Sequence, residues 1–168
     1  MSSDLGTIAI IGLVSARTAS RARHHSILIM AVYDEEHHSQ LTIRGLSRDM
    51  GLDLVPDRIK ALSIVECSDF DSLRGLGKNV TALTIDSCTG VAVDFSEIPP
   101  TVRSLTVRQT SGVTSLRGLP VGPASIVLVG LPDLTSLEGI PTGVSKLTVD
   151  GCPKLTSLEG IPKVLNLR

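Results

Sequence analysis

The C-terminal two-thirds of the chain repeats itself about every 21 residues, and no other feature restricts its fold as strongly. The clearest unit is 141–161, PTGVSKLTVDGCPKLTSLEGI, with its leading proline taken as position 1. Position 7 is then Leu62, Leu83, Leu105, Ile126 and Leu147 in successive units, and position 9 is Ile64, Ile85, Val107, Leu128 and Val149. Position 15 holds Phe70, Val91, Val113, Leu134 and Leu155, and the units close on Leu76, Ile98, Leu119, Ile140 and Ile161. One unit, 77–98, carries an extra residue between Val91 and Ile98. A fixed period of this length marks a solenoid, whose turns cannot bury their apolar faces alone and so stack to share one core.

Within each unit the L-T-V run alternates apolar, polar, apolar, the period of a half-buried strand. Positions 7 and 9 point inward and position 8 faces out. Glycine at position 20 (Gly75, Gly118, Gly139, Gly160) and proline at position 1 punctuate turns. The return leg, LTSLEGIP in one unit, is too short and too rich in Gly, Ser and Thr for a regular helix. It reads as extended or 3-10 segments. One such strand per coil, paired in parallel roughly 4.8 Å apart, predicts a sheet of six strands from Leu41 onward.

Extending the period backwards gives a unit at 35–55 with Leu41, Ile43, Leu46, Leu52 and Val55 in place, although Asp49 stands at position 15. Counting from Ser2 yields a degenerate unit with Ile8, Ile10 and Leu13. Between them, SILIMAV (26–32) has the look of a strand, but Ile27 lies only 14 residues before Leu41, too few for a full coil. The chain therefore divides into a degenerate or capping region, 1–34, and a solenoid, 35–168. The solenoid's units lie near 35–55, 56–76, 77–98, 99–119, 120–140 and 141–161, with a partial one at 162–168. The apolar stretch at 5–14 could pass for a secretion signal, but its flank MSSD carries an acid and no Lys or Arg. IAIIGL (8–13) superposes instead on IVLVGL (126–131) inside a repeat, and reads as a strand.

The string LTVDGCPKLTSL resembles the leucine-rich repeat pattern LxxLxLxxCxxL in a short, 21-residue form, and the likeness recurs six times over 35–161. The leading proline and the GIP closings are similar to repeats of bacterial effector proteins, which use Asn where this chain has Cys. The CPKLTSL phrasing resembles repeats of plant resistance receptors and of some protozoan leucine-rich repeat proteins. The resemblance implies a leucine-rich repeat solenoid, right-handed, with one parallel β-sheet on the concave side and irregular or 3-10 segments on the convex side.

It also implies a site, because proteins of this family hold partner proteins on the outward residues of the sheet. Position by position, that face is a column of Thr42, Ser63, Thr84, Thr106, Val127 and Thr148. A mixed column of Arg44, Val65, Asp86, Arg108, Val129 and Asp150 runs beside it, followed by Gly45, Glu66, Ser87, Gln109, Gly130 and Gly151. The expected partner-binding set is Arg44, Val65, Asp86, Thr106, Arg108, Val129, Thr148 and Asp150, with Arg108 as anchor. Threonines suit any exposed strand, and the face lacks the Tyr, Trp and Phe that dominate hot spots. The expected interface is polar.

Other function classes find less support. With 16 basic and 17 acidic residues, no Trp and one Tyr, the chain lacks the basic field and stacking aromatics of nucleic-acid binders. No apolar run approaches a membrane span of roughly 20 residues. No Walker loop, nucleophile elbow or dinucleotide fingerprint occurs. No enzyme activity and no cofactor is expected. Cys67, Cys88 and Cys152 all fall at position 12, which the resemblance turns inward, so they read as buried, reduced thiols that pack like small hydrophobes. Cys67 and Cys88 are one strand spacing apart, within disulfide range. The odd count favours free thiols in the cytoplasm or another reducing compartment, with secretion as the alternative. The pairs His24-His25 and His37-His38 flank Asp34, Glu35 and Glu36, without the spacing of a known metal motif. They read as solvated flanks of the 26–32 strand. The expected function is a non-catalytic module binding a protein partner through the concave face. The alternatives are a targeting or autoinhibitory segment of a larger effector or receptor, and a structural repeat protein that self-associates through its C-terminal end.

Overall fold

The structure, a computed structural model, describes residues 8–12, 29–33, 39–46, 52–53, 55–68, 70–90, 93–158, 161 and 166–167; for 8–12, 29–33 and 166–167 it is described as backbone alone. One sheet of nine strands runs through it in chain order. The strands are β1 (Ile8–Gly12), β2 (Ile29–Tyr33), β3 (Gln40–Arg44), β4 (Ala61–Val65) and β5 (Ala82–Asp86). Then come β6 (Ser104–Arg108), β7 (Ser125–Val129), β8 (Lys146–Asp150) and β9 (Asn166–Leu167). From β3 to β8 six five-residue strands pair in parallel, one per coil, and β9 adds two residues to the outer edge of β8. This is a solenoid with one parallel sheet.

The register is the one the repeat dictates. Leu41, Leu62, Leu83, Leu105, Ile126 and Leu147 are direct partners along the sheet, as are the residues at position 9. Leu105 and Val107 are fully buried, Thr106 is half-buried and Arg108 is exposed. A slip of one residue would have reversed every one of these. The core holds two further apolar columns beyond those that define the period. Position 4 (Ile59, Val80, Val102, Val144) and position 18 (Leu52, Leu73, Phe95, Leu116, Leu137) are buried as well. Each coil thus buries residues from its strand, its return leg and both corners.

The backbone brackets each strand in the same way. At its start, one carbonyl accepts two N–H groups from the next coil: Ser39 takes Lys60 and Ala61, and Lys60 takes Thr81 and Ala82. At its end, the amide at position 11 donates to the position-10 carbonyl of the next coil, as from Glu66 to Asp86 and from Ser87 to Arg108. The corner at positions 18–21 is a four-residue turn closed by Leu76 N–H to Leu73, Leu119 to Leu116 and Ile140 to Leu137. Its third residue is a glycine with φ of +86°, +87° and +98° at Gly75, Gly118 and Gly139. That is the requirement of a type II turn.

The 77–98 unit has Glu97 where the glycine belongs, and there the corner becomes a short 3-10 helix, Phe95–Glu97, closed by Ile98 N–H to Phe95. Asp94 caps it by accepting from Ser96 N–H at 2.9 Å. The amides of Leu52 and Leu116, at position 18, donate to the carbonyls of Arg74 and Glu138 in the next coil. For Leu73 the Glu97 carboxylate takes the carbonyl's place, accepting from the Leu73 N–H at 2.6 Å and the Ser72 hydroxyl at 2.8 Å.

The N-terminal strands differ from a simple extension of the repeat. β1 pairs antiparallel with β2, and β2 antiparallel with β3. Ile8 and Ile10 do lie on a strand, but it precedes a hairpin rather than a coil. The strand expected at 26–32 is described at Ile29–Tyr33, and its closeness in sequence to β3 has its explanation here, since an antiparallel neighbour needs no return leg.

Candidate functional site

The outward side of β3–β8 carries three adjoining columns in register. Position 8, Thr42 to Thr148, is half-buried throughout. Position 10 aligns Arg44, Val65, Asp86, Arg108, Val129 and Asp150 as direct partners across successive strands. Of these, Arg108 and Asp150 are exposed and the rest half-buried. All eight residues expected from the sequence therefore share one face. The chemistry splits them, however. Arg44 is engaged by Glu66 at 2.6 Å. Asp86 accepts from the Ser87 hydroxyl at 2.9 Å. Asp86 and Arg108 are strand partners yet form no ion pair, and the Arg108 guanidinium and Asp150 carboxylate have no partner among the described residues. The other ion pairs, Arg117–Glu138 and Lys154–Asp133, both at 2.7 Å, link adjacent coils away from this face. Lys154 and the Gly112 N–H hold the Asp133 carboxyl below the usual carboxylate range.

Position 11 borders this face. In all six coils this residue has a positive φ: Gly45 at +72°, Glu66 at +54°, Ser87 at +53°, Gln109 at +43°, Gly130 at +65° and Gly151 at +62°. The left-handed conformation turns the chain out of the strand, and for a residue with a Cβ it costs roughly 1–2 kcal/mol. The side chains run along the position-10 column: Ser87 Oγ lies 3.4 Å from Gln109 Oε1 and reaches Asp86. The sequence signal was one repeat position shared by glycine in three coils and by Glu, Ser and Gln in the other three.

The cysteines behave as interior groups with one exception. Cys67 and Cys88 are buried and free, whereas Cys152 is half-buried; among the described residues its coil is followed by the two-residue strand β9 rather than by a full five-residue one. The Cys67 sulfur accepts the Leu46 N–H at 3.2 Å, and the neighbouring Cys88 thiol holds the Cys67 pKa below the ordinary thiol value against the effect of burial. The Cys88 thiol is correspondingly raised. Cys88 also donates to the Asp86 carbonyl at 3.2 Å. Thr110 fills the same column, fully buried, its hydroxyl donating to the Arg108 carbonyl at 2.6 Å. Among the described residues no three His, Cys, Asp or Glu side chains gather as metal ligands, and no helix is long and apolar enough to cross a membrane. The four histidines and Asp34, Glu35 and Glu36 lie outside the described residues. Set against known proteins, the chain matches no protein family, no curated protein and no solved structure.

Proposed function

We propose that the chain is a leucine-rich repeat protein and acts as a non-catalytic module that binds a protein partner through the outward face of its parallel sheet. The observation that carries this reading is Arg108: an exposed guanidinium at the middle of a rigid sheet, with five donors and no partner among the described residues. Exposed ion pairs such as Arg44–Glu66 contribute at most about 1 kcal/mol to stability, so charges on this face matter more for recognition than for folding. Asp86 and Asp150 flank Arg108 at one and two strand spacings, and a pattern of alternating charge selects a partner by complementarity without large apolar anchors. The repeat length, the inward position-12 cysteines and the single sheet support the family assignment. Affinity capture with the wild-type chain and with an Asp86→Ala/Arg108→Ala variant tests the function. The variant is expected to keep its circular dichroism and lose a specific partner. Capture that survives both substitutions would move the site off this face.

A further inference from the structure

The position-11 column is unevenly filled. Glycine, which adopts the left-handed conformation without strain, stands there in the first, fifth and sixth coils. In the second, third and fourth coils the same backbone carries Glu66, Ser87 and Gln109. Crowding accounts for only part of the difference. A Cβ built on Gly151 would lie 3.3 Å from the Gly130 backbone, but one built on Gly130 would meet Gln109 Cγ at 3.5 Å, an ordinary contact. The three central coils therefore keep side chains at a strained position where glycine would serve the fold better. Strain retained in this way points to use.

What these side chains offer can be read from their partners. Glu66 is occupied by Arg44, and Ser87 by Asp86. The amide NH2 of Gln109 has no partner among the described residues, and it stands next in the chain to the free guanidinium of Arg108. The unused groups at Arg108 and Gln109 are thus adjacent hydrogen-bond donors, one of them charged, and the other free charge of the column, the Asp150 carboxylate, lies two strands away. The matching group is a carboxylate, which takes a guanidinium in bidentate fashion.

Resting on the reading that the sheet face binds a protein, we infer that its recognition centre is the strained rim of the three central coils, Glu66, Ser87 and Gln109 with Arg108, and that it takes an acidic segment of the partner. Arg108 and Gln109 hold a partner carboxylate, while the Arg44–Glu66 pair and Ser87 border it. The first, fifth and sixth coils, with glycine at position 11, add no side chain to this rim.

The test exploits the fact that removing strain and removing a contact act in opposite directions. A Glu66→Gly/Ser87→Gly/Gln109→Gly variant of the whole chain is compared with the wild type by thermal melting. Both are titrated calorimetrically with a synthetic decapeptide bearing four glutamates, and with counterparts bearing glutamine or lysine instead. The expected result is a Tm several degrees higher in the variant, with affinity for the acidic peptide about tenfold lower, equivalent to roughly 1.4 kcal/mol. Arg108→Ala is expected to lose the acidic peptide without the rise in Tm. A lower Tm in the triple variant would give position 11 a structural role and overturn the inference. So would unchanged affinity, or a wild type that ignores the acidic peptide or prefers the lysine one. None of these outcomes bears on the wider reading, which the partner-capture experiment judges separately.

Discussion

Gly139 and Gly143 lie four residues apart and predict opposite responses to the same substitution. A Cβ on Gly139 would overlap the Leu116 carbonyl oxygen, on a backbone with φ of +98°. Both the overlap and the conformation oppose alanine, and Gly139→Ala is expected to cost at least about 2 kcal/mol in denaturant titration. Nothing lies within 4 Å of a Cβ on Gly143. There alanine is expected to be neutral or to stabilise by up to about 1 kcal/mol, by restricting the unfolded chain. The cysteines make a second residue-scale contrast. With Cys67 and Cys88 buried and Cys152 half-exposed, a thiol reagent is expected to label Cys152 in the native protein and the other two only on unfolding. Mass spectrometry of partially labelled protein checks the order; early modification of Cys88 would mean the interior opens there. The period places Cys152 with the other two, and the difference arises because burial in a stack depends on the neighbouring coil as well as on repeat position.

At the scale of the element, the strands were legible and the corners less so. Alternation of Leu, Thr and Val fixed β4 to β8 and their direction, because one buried face leaves a single admissible register. The antiparallel pairing of β1 and β2 was not legible: apolar periodicity says that a residue lies on a strand, while the direction of its neighbour depends on the connection between them. Among the described residues, the 3-10 helix at Phe95–Glu97 departs from the glycine corner seen at Gly75, Gly118 and Gly139, and Glu97 in the glycine's place is the physical reason. Glu97 there supplies an acceptor that the coil's backbone provides elsewhere. Glu97→Ala would leave the Leu73 amide, at a fully buried residue, without its partner. A loss of about 1–3 kcal/mol is expected by chemical denaturation, against a fraction of that for Glu138→Ala, whose side chain only pairs with exposed Arg117. Equal effects would show that the Leu73 amide finds another acceptor.

The whole molecule is close to one-dimensional, since each strand pairs with its sequence neighbours alone. Its stability is then a sum over coils and the interfaces between them. Native-state hydrogen exchange is expected to be slowest at β5 to β7 and to quicken toward β3 and β8, reflecting opening from the ends. Uniform protection along the stack would instead indicate a single cooperative unit. At this scale the sequence was most informative about architecture and least about the site. Repetition reveals stacking because every coil must solve the same packing problem. The eight face residues could be aligned from it, but which of their charges are already engaged depends on side-chain contacts between coils, such as Arg44 with Glu66, that no single unit contains.

The extra residue of the 77–98 unit leaves the sheet untouched: Ala82 still faces Ser104, and Asp86 still faces Arg108. Added length in that return leg is absorbed locally, whereas one residue added to a strand would turn its inward side chains to solvent. The solenoid therefore has a permissive side and an intolerant one. A peptide tag or a fluorophore-bearing loop spliced near Asp94 can report on the molecule without displacing Arg108, which makes the back of the third coil the natural handle for immobilising it with its sheet face free.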